Sequence, residues 1–102
     1  MTAYVINSRP QLVYGVFLNA LEPAQQDVNT LSKKPTSENL LFLYAHYKQA
    51  TMGDVSGTRP SMLDVIGRMK FDAWAKLKGI SQTEAEARYI AKVKALLAAD
   101  GQ

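Results

Sequence analysis

The sequence predicts an all-α protein of four short helices, and three observations carry that prediction. Apolar residues recur at three- and four-residue steps in four separate segments, with no sustained strand alternation. Loop signals separate those segments at Ser32-Lys33-Lys34-Pro35, at Gly53-Asp54-Val55-Ser56-Gly57-Thr58-Arg59-Pro60 and at Lys78-Gly79-Ile80-Ser81. A chain of 102 residues, 47% hydrophobic and 21% charged, can bury one core and has no room for a second.

The first helix is expected over about residues 21 to 31, where Leu21, Ala24, Val28 and Leu31 form one apolar stripe. Pro23 suits only a first turn, which sets the expected start near Leu21. The second is expected over about residues 37 to 51, with Pro35 ahead of it and Thr36 or Ser37 accepting from its exposed N–H groups. The third runs from Asp64 or Gly67 to Lys78, with Phe71, Trp74 and Leu77 on its buried face and Gly79 as a left-handed C′ residue. Ser81, with Glu84 three residues on, forms a capping box for the fourth. Its stripe is Ala85, Tyr89, Val93 and Leu96, widened by Ile90 and Leu97, and it extends to Asp100-Gly101.

Composition narrows the chemistry. Twelve Lys+Arg against 9 Asp+Glu give a net charge of +3, which favours an anionic partner without naming one. Nucleic acid, a membrane surface and a phosphorylated small molecule all fit. With no cysteine there are no disulfides, thiolate nucleophiles or cysteine-ligated clusters, nor the common structural zinc sites. His46 is the only histidine, so multi-histidine metal sites are excluded and a Ser–His–Asp arrangement is disfavoured. With no acid or second histidine near it in sequence, His46 is expected at the surface. The N-terminus lacks a basic n-region, and Arg9-Pro10 interrupts its apolar stretch. The apolar run from Leu12 to Leu21 falls short of the roughly 20 residues that span a bilayer. A soluble, cytoplasmic protein is expected.

The most informative local group is Tyr44-Ala45-His46-Tyr47-Lys48-Gln49-Ala50-Thr51. At about 100° per residue, Tyr47 lies about 60° to one side of Tyr44 and Lys48 about 40° to the other. Two phenols and an ammonium therefore share one face. Such a face can stack on a base and hold a phosphate. It can equally be half-buried core tyrosines with wet hydroxyls beside a solvated lysine, and spacing alone leaves both open. Arg68 and Lys70, beside Phe71 and Trp74, suit a solvated face opposite an aromatic core face. Lys33-Lys34 fits a plain exposed loop. Glu84 and Glu86 stand two apart on a helix and do not face each other, and no Gly-rich phosphate loop occurs.

Three longer stretches say more: LLFLYAHYKQATMGD from Leu40 to Asp54, TRPSMLDVIGRMKFDAWAKLKG from Thr58 to Gly79, and EAEARYIAKVKALL from Glu84 to Leu97. Through their YKQAT-x-GD and RP-x-MLD…G-x-x-K-[aromatic]-DAW…LKG strings, the chain from about Leu21 onward resembles the acyl-CoA-binding protein family. That resemblance implies an up-down-down-up bundle of four helices that binds long-chain acyl-CoA without altering it. It implies a carrier serving the acyl-CoA pool, monomeric, with no enzymatic activity, cofactor or metal, and in transient contact with membranes or acyl-CoA-using enzymes. By matching position, Tyr44, Lys48 and Lys70 would hold the adenosine 3′-phosphate and its ribose. Tyr47 would stack on adenine and Tyr89 would close over the CoA portion. Lys34 would lie near the ligand, and Leu40 and Leu41 would line a groove for the acyl chain. Residues 1–16 form an N-terminal extension of unknown structure outside the resemblance, with an acyl-CoA-binding domain over 17–102.

The chain departs from the family pattern at several points. Leu21 stands where phenylalanine is frequent, Asn29 and Ile66 where lysines are frequent, Arg68 for a lysine and Phe71 for a tryptophan. The alternative function is a basic helical nucleic-acid-binding domain. It needs a basic stripe on one recognition helix, whereas these lysines are spread over several, so no nucleic acid partner is expected.

Overall fold

A computed structural model describes the backbone of residues 15–101 and the side chains of residues 21–101. Among these residues the protein is all-α: α1 spans Gly15–Val28, α2 Ser37–Met52, α3 Val65–Ala75 and α4 Gln82–Ala99. The four helices form a bundle in which α4 packs on both α1 and α2, and α3 packs on α2. Leu21 and Ala24 of α1, Leu43 and Ala50 of α2, and Ala85, Tyr89 and Val93 of α4 make the buried core. The stripes expected on the first and fourth helices meet in this core, where small and branched side chains pack with the Tyr89 ring.

The first helix corrects the expectation. It begins at Gly15 instead of near Leu21, and Pro23 lies in its interior. Proline removes one helical donor and crowds the preceding turn. Here the helix is anchored on both sides of it by Leu21 (1% exposed) and Ala24 (6%), whose burial offsets that cost. The helix also ends earlier, at Val28. Bonds from Asn29, Thr30 and Leu31 to carbonyls three residues back tighten the chain into a turn. Residues 1–14, most of the expected N-terminal extension, lie outside the described residues.

The expected caps form. Thr36 accepts from the Asn39 N–H (3.2 Å) and Ser81 from the Glu84 N–H (3.0 Å). The reciprocal half of the Ser81 capping box is replaced, since Glu84 Oε2 accepts from Arg88 Nε at 2.9 Å. Asp64 caps α3 through the Gly67 N–H, 2.9 Å away, and a Cβ at position 67 would collide with that carboxylate. Here α3 ends at Ala75, short of the expected Lys78. Leu77 and Lys78 donate to carbonyls three residues back, and Gly79 then turns the chain with φ +93°. Of the expected inner face of α3, Trp74 is buried, while Phe71 and Leu77 are half-buried.

Polar bonds tie the loops to the helices. Gln49 Nε2, on the fully buried side of α2, donates to Asp54 Oδ1 (2.8 Å) and to the Ile80 carbonyl (2.7 Å). The same Asp54 oxygen accepts from the Gly79 N–H at 2.9 Å. These two bonds, that from Gly79 being the stronger influence, hold the Asp54 carboxyl below the usual carboxylate range. Trp74 Nε1 donates to the Gly53 carbonyl (2.9 Å), and Gly53 has φ +80°. Arg59 grips Asp72 through two bonds of 2.9 and 2.7 Å, fastening the α2–α3 connection to α3. The GD of the YKQAT-x-GD string, with its Gln49, is thus a clamp that holds the end of α3 and the turn leading into α4.

Candidate ligand-binding site

The helical face that carries Tyr44 and Lys48 meets α3 where that helix presents Lys70. Lys70 Nζ lies 5.3 Å from the Tyr44 ring centre, and Lys48 Nζ lies 6.0 Å from it. Lys48 Nζ is also 5.0 Å from the Trp74 ring, so the half-buried lysine stem is laid along α3. Two ammonium groups on different helices therefore share one phenol ring. Among the described residues the ion pairs are Arg59–Asp72 and Arg88–Glu84, and neither engages these lysines. Arg68 is two positions from Lys70, about 200° around the helix, and faces elsewhere. It is half-buried instead of lying on a solvated face.

Two open grooves meet at this point. One, of about 290 Å³, runs between α2 and α3 and is lined by Lys34, Ser37, Leu40, Leu41, Tyr44, Ile66, Met69 and Lys70. The other, of about 300 Å³, lies over α1, α2 and α4 and is lined by Gln25, Val28, Asn29, Leu40, Leu43, Tyr44, Tyr47 and Tyr89. Leu40 and Tyr44 border both. The walls of each are predominantly apolar, with polar groups at a few points, a composition suited to an amphiphile. The structure thus gathers Lys34, Leu40, Leu41, Tyr44 and Lys70 around the first groove. It places Tyr47 and Tyr89 in the second and Lys48 beside their common wall.

The tyrosines differ in exposure. Tyr44 and Tyr47 are half-buried, whereas Tyr89 is 5% exposed. The Tyr47 and Tyr89 rings are tilted at 55° with centres 6.0 Å apart. Burial, with a smaller contribution from Tyr47, pushes the Tyr89 hydroxyl up to about 12, so it remains a neutral donor throughout the physiological range.

His46 does not take the surface position expected of it. It is 4% exposed, stacked on Phe42 with ring centres 4.0 Å apart, and its Nδ1 lies 2.8 Å from the Phe42 carbonyl. Burial, assisted by Arg88 and Lys92, pushes its pKa below the ordinary 6.5 against the opposing pull of that carbonyl. An isolated histidine carries no sequence signal for this, because a backbone acceptor within its own helix is invisible in side-chain spacing. Sequence reasoning also missed Ser37 and Met69 as groove residues. Met69 stands three residues after Ile66 on α3, the one spacing that could have flagged it.

Among the described residues, no group of three or more His, Cys, Asp or Glu could hold a metal ion. No helix among them is long and apolar enough to cross a membrane. Fold and site together define a small helical bundle with apolar grooves meeting at a cationic, aromatic junction.

Comparison with known proteins specifies that class. The family model described as acyl CoA binding protein matches residues 18–93. The acyl-CoA-binding protein of Saccharomyces cerevisiae is 47% identical over 77 residues, covering 76% of this chain and 88% of the yeast protein. The acyl-CoA-binding protein homolog of Manduca sexta is 44% identical over 81 residues, covering 78% and 90%. The crystal structure of acyl-CoA-binding protein 2 from Oryza sativa superposes with a TM-score of 0.78 at 38% identity, covering 84% of this chain and 94% of that one. This chain belongs to the acyl-CoA-binding protein family.

Proposed function

We propose that this protein is a non-catalytic carrier of long-chain acyl-CoA, serving to buffer and transport the acyl-CoA pool in the cytoplasm as a monomer. The observation that carries this reading is the convergence of Lys48 and Lys70 on the Tyr44 ring at the head of an apolar groove. The two ammonium groups and the Tyr44 hydroxyl hold the adenosine 3′-phosphate and ribose, Tyr47 stacks on adenine, and Tyr89 closes over the CoA portion. Lys34 stands near the ligand, and Leu40 and Leu41 line the path of the acyl chain. The carrier domain extends over 17–102, with 1–16 as an extension to it.

Magnitudes divide the labour. A lysine–phosphate hydrogen bond is worth about 1.5–3 kcal/mol, and base stacking about 1–3 kcal/mol. Each buried methylene contributes about 0.8 kcal/mol, so a tail of about 16 carbons offers roughly 12 kcal/mol before ordering costs. The headgroup selects CoA and the tail sets the affinity. Burying the tail also keeps an amphiphile out of membranes. Calorimetric titration with acyl-CoAs of increasing length, free CoA and free fatty acid tests this. Palmitoyl-CoA binds far more tightly than either fragment if the reading is right; equal affinity for palmitoyl-CoA and free CoA contradicts it.

A further inference from the structure

Two carboxamides, Gln25 and Asn29, border the groove over α1, α2 and α4 beside the rings of Tyr44, Tyr47 and Tyr89. They stand four residues apart, and the Asn29 N–H donates to the Gln26 carbonyl (3.0 Å). That bond continues the helical turn past the end of α1 and keeps Asn29 on the same side as Gln25. Among the described residues neither carboxamide has a hydrogen-bond partner. Every side chain around this groove is uncharged, whereas Lys34 and Lys70 border the other. We infer that Gln25 and Asn29 read the edge of the adenine base, through hydrogen bonds to its 6-amino group and the ring nitrogens beside it.

The chemistry of the groove selects that occupant. Tyr47 and Tyr89 supply aromatic walls, tilted at 55° with ring centres 6.0 Å apart, and a flat ring suits such walls. A carboxamide places an acceptor and a donor side by side. Adenine offers the complement, an amino donor next to a ring-nitrogen acceptor, which is why Asn and Gln are its usual bidentate partners. Stacking alone accepts any base, because every base has a π-face. Edge contacts are what make such a site specific for one. Asn29 stands where lysine is frequent in the family, and the exchange trades a point charge for a paired donor and acceptor.

Exposure limits the size of the effect. Gln25 is half-buried and Asn29 exposed, and with Glu22 and Gln26 both also border a shallow polar depression of about 390 Å³ on α1. Water therefore reaches the carboxamides, and each hydrogen bond to the base is worth about fivefold in affinity. This base readout rests on the proposed acyl-CoA binding with Tyr47 on the adenine; what it adds is the choice of base.

Calorimetric titration with palmitoyl-CoA, and with its analogue carrying unsubstituted purine in place of adenine, tests the readout. The analogue lacks only the 6-amino group and retains the stacking surface, the phosphates and the tail. The wild type is expected to bind palmitoyl-CoA about fivefold more tightly than the analogue. Gln25→Met and Asn29→Leu keep the side-chain bulk without the amide. The double variant is expected to bind the two ligands equally, and no better than the wild type binds the analogue. Its melting temperature should match the wild type, since neither amide has a bond within the described residues to lose. Equal binding of the two ligands by the wild type overturns the inference and leaves the carrier function standing. An undiminished preference for adenine in the double variant also overturns it, because other groups then read the base. Failure of the wild type to bind palmitoyl-CoA defeats the carrier function, and the inference with it.

Discussion

Lys70 Nζ stands 5.3 Å from the centre of the Tyr44 ring, joining α3 to α2 across the head of a groove. Lys70 is exposed, Tyr44 half-buried and Lys48 half-buried. None of the three belongs to the buried core. Their arrangement therefore contributes little to folding and is available for a ligand.

Separate loss of binding and retention of stability follows from that placement. Lys48→Ala and Lys70→Ala are each expected to weaken palmitoyl-CoA binding by roughly 10- to 100-fold, the equivalent of about 1.5–3 kcal/mol. Tyr44→Phe is expected to weaken it less, by the loss of one hydroxyl. Melting temperatures should move by less than about 2 °C. Calorimetry beside a melting curve checks both halves; variants that unfold would assign this face to the core instead.

The clamp at the end of α2 should behave in the opposite way. Gln49 is 1% exposed and donates to Asp54 and to the Ile80 carbonyl. Gln49→Leu keeps the volume but leaves the Ile80 carbonyl without this donor and Asp54 Oδ1 with the Gly79 N–H alone of its two, so a loss of about 1–3 kcal/mol in stability is expected. Denaturant unfolding measures it. Trp74→Phe likewise leaves the Gly53 carbonyl without its 2.9 Å donor and should act mainly on stability.

A pH dependence belongs to His46. Its folded pKa lies below the ordinary 6.5, so the unfolded chain takes up the proton first as pH falls. Well above pH 6.5 both states hold a neutral imidazole and the residue has no pH-linked effect. Stability then declines as pH falls through 6.5 and levels off below the folded pKa. The Asp54 and Asp72 carboxyls are held below 3.8, so their contributions are lost only at lower pH. Urea unfolding from neutral pH down to about pH 5 should show this decline in the wild type and a flatter profile in His46→Phe. Equal slopes in the two proteins would count against the buried, neutral histidine.

Much of this architecture was legible in the chain, and the exceptions have physical causes. Thr36 and Ser81 announce α2 and α4 because capping is a local interaction between a side chain and a backbone N–H a few residues on. The shared face of Tyr44, Tyr47 and Lys48 follows from helical periodicity. Pro23 misled because its penalty is local whereas the burial of Leu21 and Ala24 that outweighs it is tertiary. His46 misled for a similar reason, since its partners are the Phe42 carbonyl and ring. The α3 wall of the groove was hidden because Met69 becomes a lining residue only once α3 is laid against α2. Lys70 was placed by family resemblance, and no spacing within α3 would have directed it toward Tyr44.

The 3′-phosphate anchor is tested most directly by titrating palmitoyl-CoA and its 3′-dephospho analogue into the wild type and into Lys48→Ala/Lys70→Ala. With the phosphate held between the two lysines, its removal weakens binding to the wild type by at least about tenfold and binding to the double variant hardly at all. An equal loss in both proteins would contradict the anchor, because the phosphate would then be held elsewhere.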